Sequence, residues 1–399
     1  MKIRVGVIFG GATVEHEVSI ISAVQAMGSM NTDKYDIIPI YIGKDRIWHT
    51  GKMLMDIEVY KDLDMIKRYA KQVMLCKKDG AYVLETTKGL FRKTISELDI
   101  AFPIVHGNNA EDGTLQGLLD SIGIPYVGSR VLGSALGQDK VIMKQVMKEA
   151  GLPIVDYTWF FDNEYLEDTD NILKNIKKIG YPVIVKPATL GSSVGITYVK
   201  DHDHIIDAIN EAMRYDNKIV VEKAVEELTE VNCSVLGNYE YREASVLEEV
   251  MSTEEFLTYQ DKYLGNGKGS KSKGMASTNR IVPARLDSKM TEEIRELAKE
   301  VCRVLNLSGV TRVDFLIDKS KSRVYVNEPN TIPGSLSFYL WEPTGKKYET
   351  LLDDMISLGI KEFKRRSKKI DTFETNILSN FSGVKGCKGL KGVKGTKRM

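Results

Sequence analysis

Ile3-Arg4-Val5-Gly6-Val7-Ile8-Phe9-Gly10-Gly11-Ala12-Thr13-Val14-Glu15-His16-Glu17-Val18-Ser19 lies near the N-terminus. A short apolar run stops at two glycines and gives way to residues with helical spacing. The reading is a strand, a turn, and a helix from near Val14 to Met27. Ile37 to Ile42 reads as a second strand, and strand–helix–strand order implies a parallel sheet. Lys2 and Arg4 before apolar residues imitate a signal peptide. The run is too short, however, and Glu15, His16 and Glu17 follow at once, so no targeting segment is expected.

Working outward, Ile100 to Val105 is a further buried strand ending in His106-Gly107, and Tyr82-Val83-Leu84 suggests a hairpin strand. These elements form an N-terminal α/β domain, residues 1–128. Ser134 to Ala150 reads as one helix containing Lys140, stopped by Gly151 and Pro153. Strands Val183 to Lys186 and Gly195 to Val199, helix Ile205 to Met213 and strand Ile219 to Glu222 complete a central domain, 129–227. A third, 228–370, holds strand Val231 to Leu236, a long polar loop and helix Thr291 to Leu305. Strands Val310 to Ile317 and Arg323 to Glu328, joined at Asp318 to Ser322, form an antiparallel hairpin, and helix Glu349 to Phe363 closes the domain.

In residues 371–399 glycine recurs every third position from Gly383 to Gly395. The stretch is short and lacks proline, so it is not collagen-like. It reads as a disordered basic tail, with weak affinity for anionic surfaces as the alternative.

A length of 399 residues implies two or three domains. The formal net charge of +1 argues against a nucleic-acid binder. No run of 18 or more apolar residues is present, so no membrane span is expected. Cys76, Cys233, Cys302 and Cys387 are scattered, which fits reduced thiols and a cytoplasmic location. His106 has no ligand-type neighbours in sequence, which argues against zinc.

Four groups of residues carry chemistry. Lys186-Pro187 precedes Gly191-Ser192-Ser193-Val194-Gly195, a lysine at a strand end followed by a loop whose backbone N–H groups can wrap a phosphate. An ordinary hairpin turn is the other reading. In Arg312-Val313-Asp314-Phe315, alternation places Arg312 and Asp314 on one face. Across the hairpin, Glu328 and Asn330 add a carboxylate and an amide, a hard oxygen set suited to Mg²⁺. A surface salt-bridge network fits the same pattern. Glu15 stands after a strand and glycine turn, placed either to hold a substrate ammonium or to cap a helix. His106 to Gly113, with Glu111, forms a second polar loop. Tyr259 to Gly274, with Lys262 and Tyr263, reads as a lid or as disorder.

Together and in this order, several motifs resemble the D-alanine–D-alanine ligase family of ATP-grasp enzymes. They are Glu15-His16-Glu17-Val18-Ser19, His106-Gly107 to Gly117, Gly123 to Gly128, Asp139-Lys140, Val185-Lys186-Pro187, Gly191 to Gly195, and Glu328 with Asn330-Thr331 then Pro333-Gly334. The resemblance covers roughly residues 3 to 360. It implies a mixed α/β, three-domain ATP-grasp fold, a cytoplasmic homodimer, and ATP with two Mg²⁺ (or Mn²⁺) ions.

By the same resemblance, Lys140, Lys186 and the lid residue Lys262 match phosphate lysines. Glu222, Lys223 and Val225 match the adenine strand and hinge, and Glu230 the ribose glutamate. Asp314, Glu328 and Asn330 match the metal ligands, and Arg312 the oxyanion arginine. Glu15 matches the holder of the first substrate's ammonium, linked through Ser192 and Tyr263. His106, Glu111 and Gly334 line the substrate end. The serine of the second subsite aligns with Tyr339 by direct counting, or with Ser337 if the segment is shortened. Pro329, between two metal ligands, departs from the pattern. Tyr263, rather than histidine, resembles the amide-forming members. The implied reaction joins D-alanine to D-alanine for peptidoglycan through an acyl phosphate, with D-serine as the alternative second substrate.

Overall fold

The computed structural model describes residues 2–191, 194–251 and 280–373. Its first sheet contains β1 (Ile3–Gly10), β2 (Tyr35–Ile42), β3 (Trp48–Thr50), β4 (Lys71–Lys78), β5 (Ala81–Thr86), β6 (Thr94–Leu98) and β7 (Ile100–Ile104), in the order β6-β5-β4-β3-β2-β1-β7. Only part of it is parallel: β1 lies parallel to β2 and β7, while the pairs from β2 to β6 are antiparallel. Connection length explains part of the difference, although β3 and β4 are antiparallel across the long link 51–70. Helix His16–Ser29 spans the crossover from β1 to β2, whereas short links, such as Asp79-Gly80 with both φ values positive, can only reverse the chain.

The second sheet holds β8 (Tyr157–Phe161), β9 (Val183–Pro187), β10 (Thr197–Val199) and β11 (Lys218–Lys223), all antiparallel, in the order β10-β9-β11-β8. The helix expected over Ser134 to Ala150 is two, Val131–Gln138 and Lys140–Glu149. Asp139 breaks it: its carboxylate accepts N–H bonds from Val141 and Ile142 and pairs with Lys218. This N-cap restarts the helix and puts Lys140 in its first turn. Met143 and Met147 of that helix join the core of the third sheet, while Val141 packs on Ala188 and Val220 of the second. The helix is therefore the joint between the two sheets.

Among the described residues the third sheet runs β14-β13-β12-β15-β16. Its strands are β12 (Leu228–Gly237), β13 (Arg242–Val250), β14 (Arg280–Ile281), β15 (Gly309–Asp318) and β16 (Arg323–Asn330). β13 occupies part of the segment expected to be a polar loop. Its charges hid it, yet Glu248 and Glu249 are buried, held by Asn232 and Arg285. Pro329 is tolerated because β16 is the sheet's edge, where a missing donor breaks no inner ladder.

One apolar core joins the first and third sheets: Phe9, Ile100 and Phe102 pack with Leu236, Val310, Leu336, Trp341 and helix Tyr348–Arg366. Trp341 is fully buried and donates its indole N–H to Ser234 Oγ at 3.0 Å.

Two backbones cross closely where a Cβ on Gly309, at φ +83°, would sit 2.8 Å from Gly128 Cα. Left-handed alanine costs about 1–2 kcal/mol before any clash. Gly309→Ala is expected to lower the thermal unfolding midpoint. Gly28→Ala, in a helix with nothing within 4 Å of the added Cβ, should leave the midpoint unchanged or raise it. Equal midpoints for the two variants would contradict the close crossing.

Candidate active site

β9 and β11 carry the centre of the site. Val185 and Val221 point into the core below, so the alternate residues Lys186 and Glu222 point out together. Lys186 Nζ lies 2.9 Å from Glu222 Oε2, and both side chains are buried. The other oxygen, Oε1, faces Lys144 Nζ at 3.2 Å. Lys144 comes from helix Lys140–Glu149 and is completely buried. It was not recognised in the sequence; its position four residues after Lys140, on the same helix face, was the available signal.

Burial alone would raise the Glu222 carboxyl, but Lys144 and Lys186 outweigh it and hold the group below its ordinary range. Burial lowers Lys186, and Glu222 and Glu328 more than offset that, so its net shift is upward. For Lys144 burial dominates and the shift is downward.

One turn before Lys144, Lys140 donates to the Leu190 carbonyl at 2.7 Å and lies 3.4 Å from Glu328 Oε2. It therefore ties the start of the glycine-serine loop to the third sheet. On β15 and β16, Asp314 stands directly opposite Glu328, and Arg312 opposite Asn330. Arg312 donates twice to Asp314, at 2.7 and 2.8 Å, and Asn330 Nδ2 donates to Asp314 at 3.1 Å. Burial lowers Arg312, but the Asp314 pair holds it well above its ordinary range.

Glu15 is buried at the start of helix His16–Ser29. A Cβ on Gly107 or on Gly191 would stand 2.9 or 3.2 Å from Glu15 Oε2, so both glycines let the backbone approach this carboxylate. Gly191 thus brings the glycine-serine loop to Glu15. Ser192, Lys262 and Tyr263 lie outside the described residues.

The remaining residues divide. Burial keeps the His106 ring neutral. Its Nδ1 donates to the Ile332 carbonyl at 2.6 Å and its Nε2 accepts from Ser22 Oγ at 2.9 Å, so both nitrogens brace the loop around Gly334. Ser335, Leu336 and Ser337 all hold φ near +50°, a strained run pinned by Ser335 N–H donating to Ser22 Oγ at 2.8 Å. Ser337 is fully buried, while Tyr339 donates its hydroxyl to Glu248 at 3.0 Å beneath the Arg280 guanidinium. Lys223 turns away to the carbonyls of Gly180 and Tyr181. Val225 is half-buried. Glu230 is close enough to Lys186 to raise its pKa.

With that geometry in view, the comparisons are specific. Residues 4–129 match the model of the D-ala D-ala ligase N-terminus, and 146–357 that of the C-terminus. The chain belongs to the D-Ala-D-Ala ligase family. It is 40% identical over 379 residues to the D-alanine–D-alanine ligase of Thermosipho melanesiensis, covering 94% of this chain and 98% of that one. Against the ligase of Caldicellulosiruptor bescii it is 40% identical over 383 residues, covering 92% and 97%. Among solved structures, the D-alanine-D-alanine ligase from Coxiella burnetii superposes with a TM-score of 0.77 at 28% identity, covering 92% of this chain and 96% of that one. The VanG D-Ala:D-Ser ligase from Enterococcus faecalis gives 0.75 at 29%, covering 90% and 100%. The fold is the three-domain ATP-grasp fold, and this family member is an ATP-dependent ligase.

In this ligase Glu111 has an unusual setting. Its carboxylate accepts N–H bonds from Gly107 at 2.7 Å and Ile332 at 3.0 Å. Removal from water, reinforced by Glu15, still pushes it from 4.5 up to about 8. The folded form therefore keeps a proton that the unfolded chain releases. Stability should fall as pH rises from the ordinary carboxyl range through about 8. Glu111→Gln should flatten that part of a Tm-against-pH profile; an unchanged slope would show that Glu111 titrates normally.

Proposed function

We propose that the chain joins two D-alanines in an ATP-dependent reaction, supplying the dipeptide for peptidoglycan and so for cell-wall synthesis and cell shape. The observation that carries this reading is the convergence of Lys140, Lys186, Asp314, Arg312 and Glu328 beside Gly191, whose backbone approaches Glu15. Cations suited to a polyphosphate, oxygens suited to hard ions and a carboxylate suited to an ammonium adjoin one another.

A carboxylate is a poor electrophile because it is already anionic. In the proposed order, Glu15 holds the first D-alanine's ammonium while an oxygen of the D-alanine carboxylate bonds to the γ-phosphorus of ATP and the bond to the ADP oxygen breaks. Lys140 and Lys186 hold the phosphates, the strand and hinge at Glu222, Lys223 and Val225 hold the adenine without the Lys223 ammonium, which is bound to the Gly180 and Tyr181 carbonyls, and Glu230 holds the ribose. The second amine then attacks the acyl carbon, loses a proton, and inorganic phosphate leaves. Arg312 balances the tetrahedral oxyanion. Lys262, Tyr263 and Ser192 act from the lid and loop to exclude water.

Asp314, Glu328 and Asn330 are the residues that would hold two Mg²⁺, or Mn²⁺, ions. Among the described residues no three His, Cys, Asp or Glu side chains form a metal cluster, so the donor set relies on the Asn330 amide beside two facing carboxylates. When bound, such ions offset phosphate charge.

The domain limits 1–128, 129–227 and 228–370 each contain one sheet, with 371–399 a separate tail. A cytoplasmic homodimer is part of the same proposal, and no helix among the described residues is long and apolar enough to cross a membrane. D-serine as the second substrate is the alternative. It is favoured by the polar Tyr339–Glu248–Arg280 group near Arg312, where the subsite's serine would lie.

ATP, Mg²⁺ and D-alanine should release phosphate and yield the dipeptide, seen by mass spectrometry. Product from D-serine or D-lactate instead would overturn the D-alanine assignment. Glu15→Gln should retain ATP binding and lose about 10²-fold or more in ligation. Normal ligation by that variant would remove Glu15 from the substrate site.

A further inference from the structure

Lys186 presents a difficulty as a phosphate-binding residue: its ammonium is already held by Glu222 at 2.9 Å in a buried pair. Moving it to a phosphate oxygen would strand a buried carboxylate, a costly event if nothing else faces that carboxylate. Lys144 faces it. The three side chains form a chain, Lys144–Glu222–Lys186, with two positive charges and one negative.

We propose that Lys144 is a positioning residue, the resident counter-ion of Glu222, which frees Lys186 to exchange its bond to Glu222 for one to a nucleotide phosphate. This rests on the reading of Lys186 as a phosphate ligand. Three further observations support it. Lys144 is wholly buried on the helix that joins the two sheets, so it is not placed to meet nucleotide itself. Lys144 Nζ lies 3.2 Å from Glu222 Oε1 with both side chains buried, so the pair is shielded from water. Lys140 differs, since the Leu190 carbonyl holds it in place.

The test is ATP binding by calorimetry on the full chain, with Lys144→Met, Lys144→Arg and Lys186→Ala. Lys144→Met leaves Lys186 as the only cation on Glu222, so ATP should bind tenfold or more weaker. Lys144→Arg restores a cation to Glu222 and should return affinity to within about threefold of wild type. That rescue is not expected if Lys144 is only packing.

Wild-type affinity in Lys144→Met, or a tenfold loss in Lys144→Arg, overturns the proposal. If Lys144→Met does not fold, Lys144→Arg decides alone: near wild-type affinity supports the role and a tenfold loss ends it. Wild-type affinity in Lys186→Ala would refute the phosphate reading separately.

Discussion

The buried charge row Lys144–Glu222–Lys186, continued by Lys140 to Glu328, is the constraint on which the rest of this structure depends. Buried ammonium groups are tolerable only beside anions, and buried carboxylates only beside cations. The second sheet supplies Lys186 and Glu222, the joining helix Lys140 and Lys144, and the third sheet Glu328. No element can shift far without leaving a charge unpaired. The arrangement also keeps an excess of positive charge where a polyphosphate would lie. It thereby links fold stability to a capacity for binding anions.

The hairpin of β15 and β16 answers this on the other side. Its register sets Asp314 against Glu328, like charges that repel unless cations intervene. Arg312 and Lys140 serve in that role here, and the neutral Asn330 amide adds a hydrogen bond to Asp314. Placing the hairpin at the sheet edge allows Pro329 between the two acidic and amide positions without loss of an inner ladder bond. The N-terminal domain completes the cleft by close backbone approach: Gly107 and Gly191 bring two loops onto Glu15, and the His106–Ser22–Ser335 hydrogen bonds hold the strained turn opposite.

Much of this was legible in the sequence because it is periodic or sits at strand ends. Alternation in Arg312 to Phe315 gave the correct face, and the Asp318 to Ser322 turn the correct hairpin. Where charge masked burial, the reading failed: Glu248 and Glu249 made β13 look like loop, although burial with Asn232 and Arg285 decides its state. Asp139 was read as helical, since a cap and an interior residue differ only in the bonds of the carboxylate. Lys144 resembled any helix lysine until tertiary structure enclosed it. The extended antiparallel part of the first sheet is built from short, weakly patterned strands, including β3 of three residues.

The central claim is that one polyphosphate lies among these lysines with divalent ions on the hairpin. A crystal structure with a non-hydrolysable ATP analogue and Mn²⁺ tests it most directly, because manganese is visible by anomalous scattering. The account predicts phosphate oxygens within hydrogen-bond reach of Lys140 and Lys186, and manganese between Asp314 and Glu328. Nucleotide bound elsewhere, or metal peaks remote from that hairpin, would contradict it.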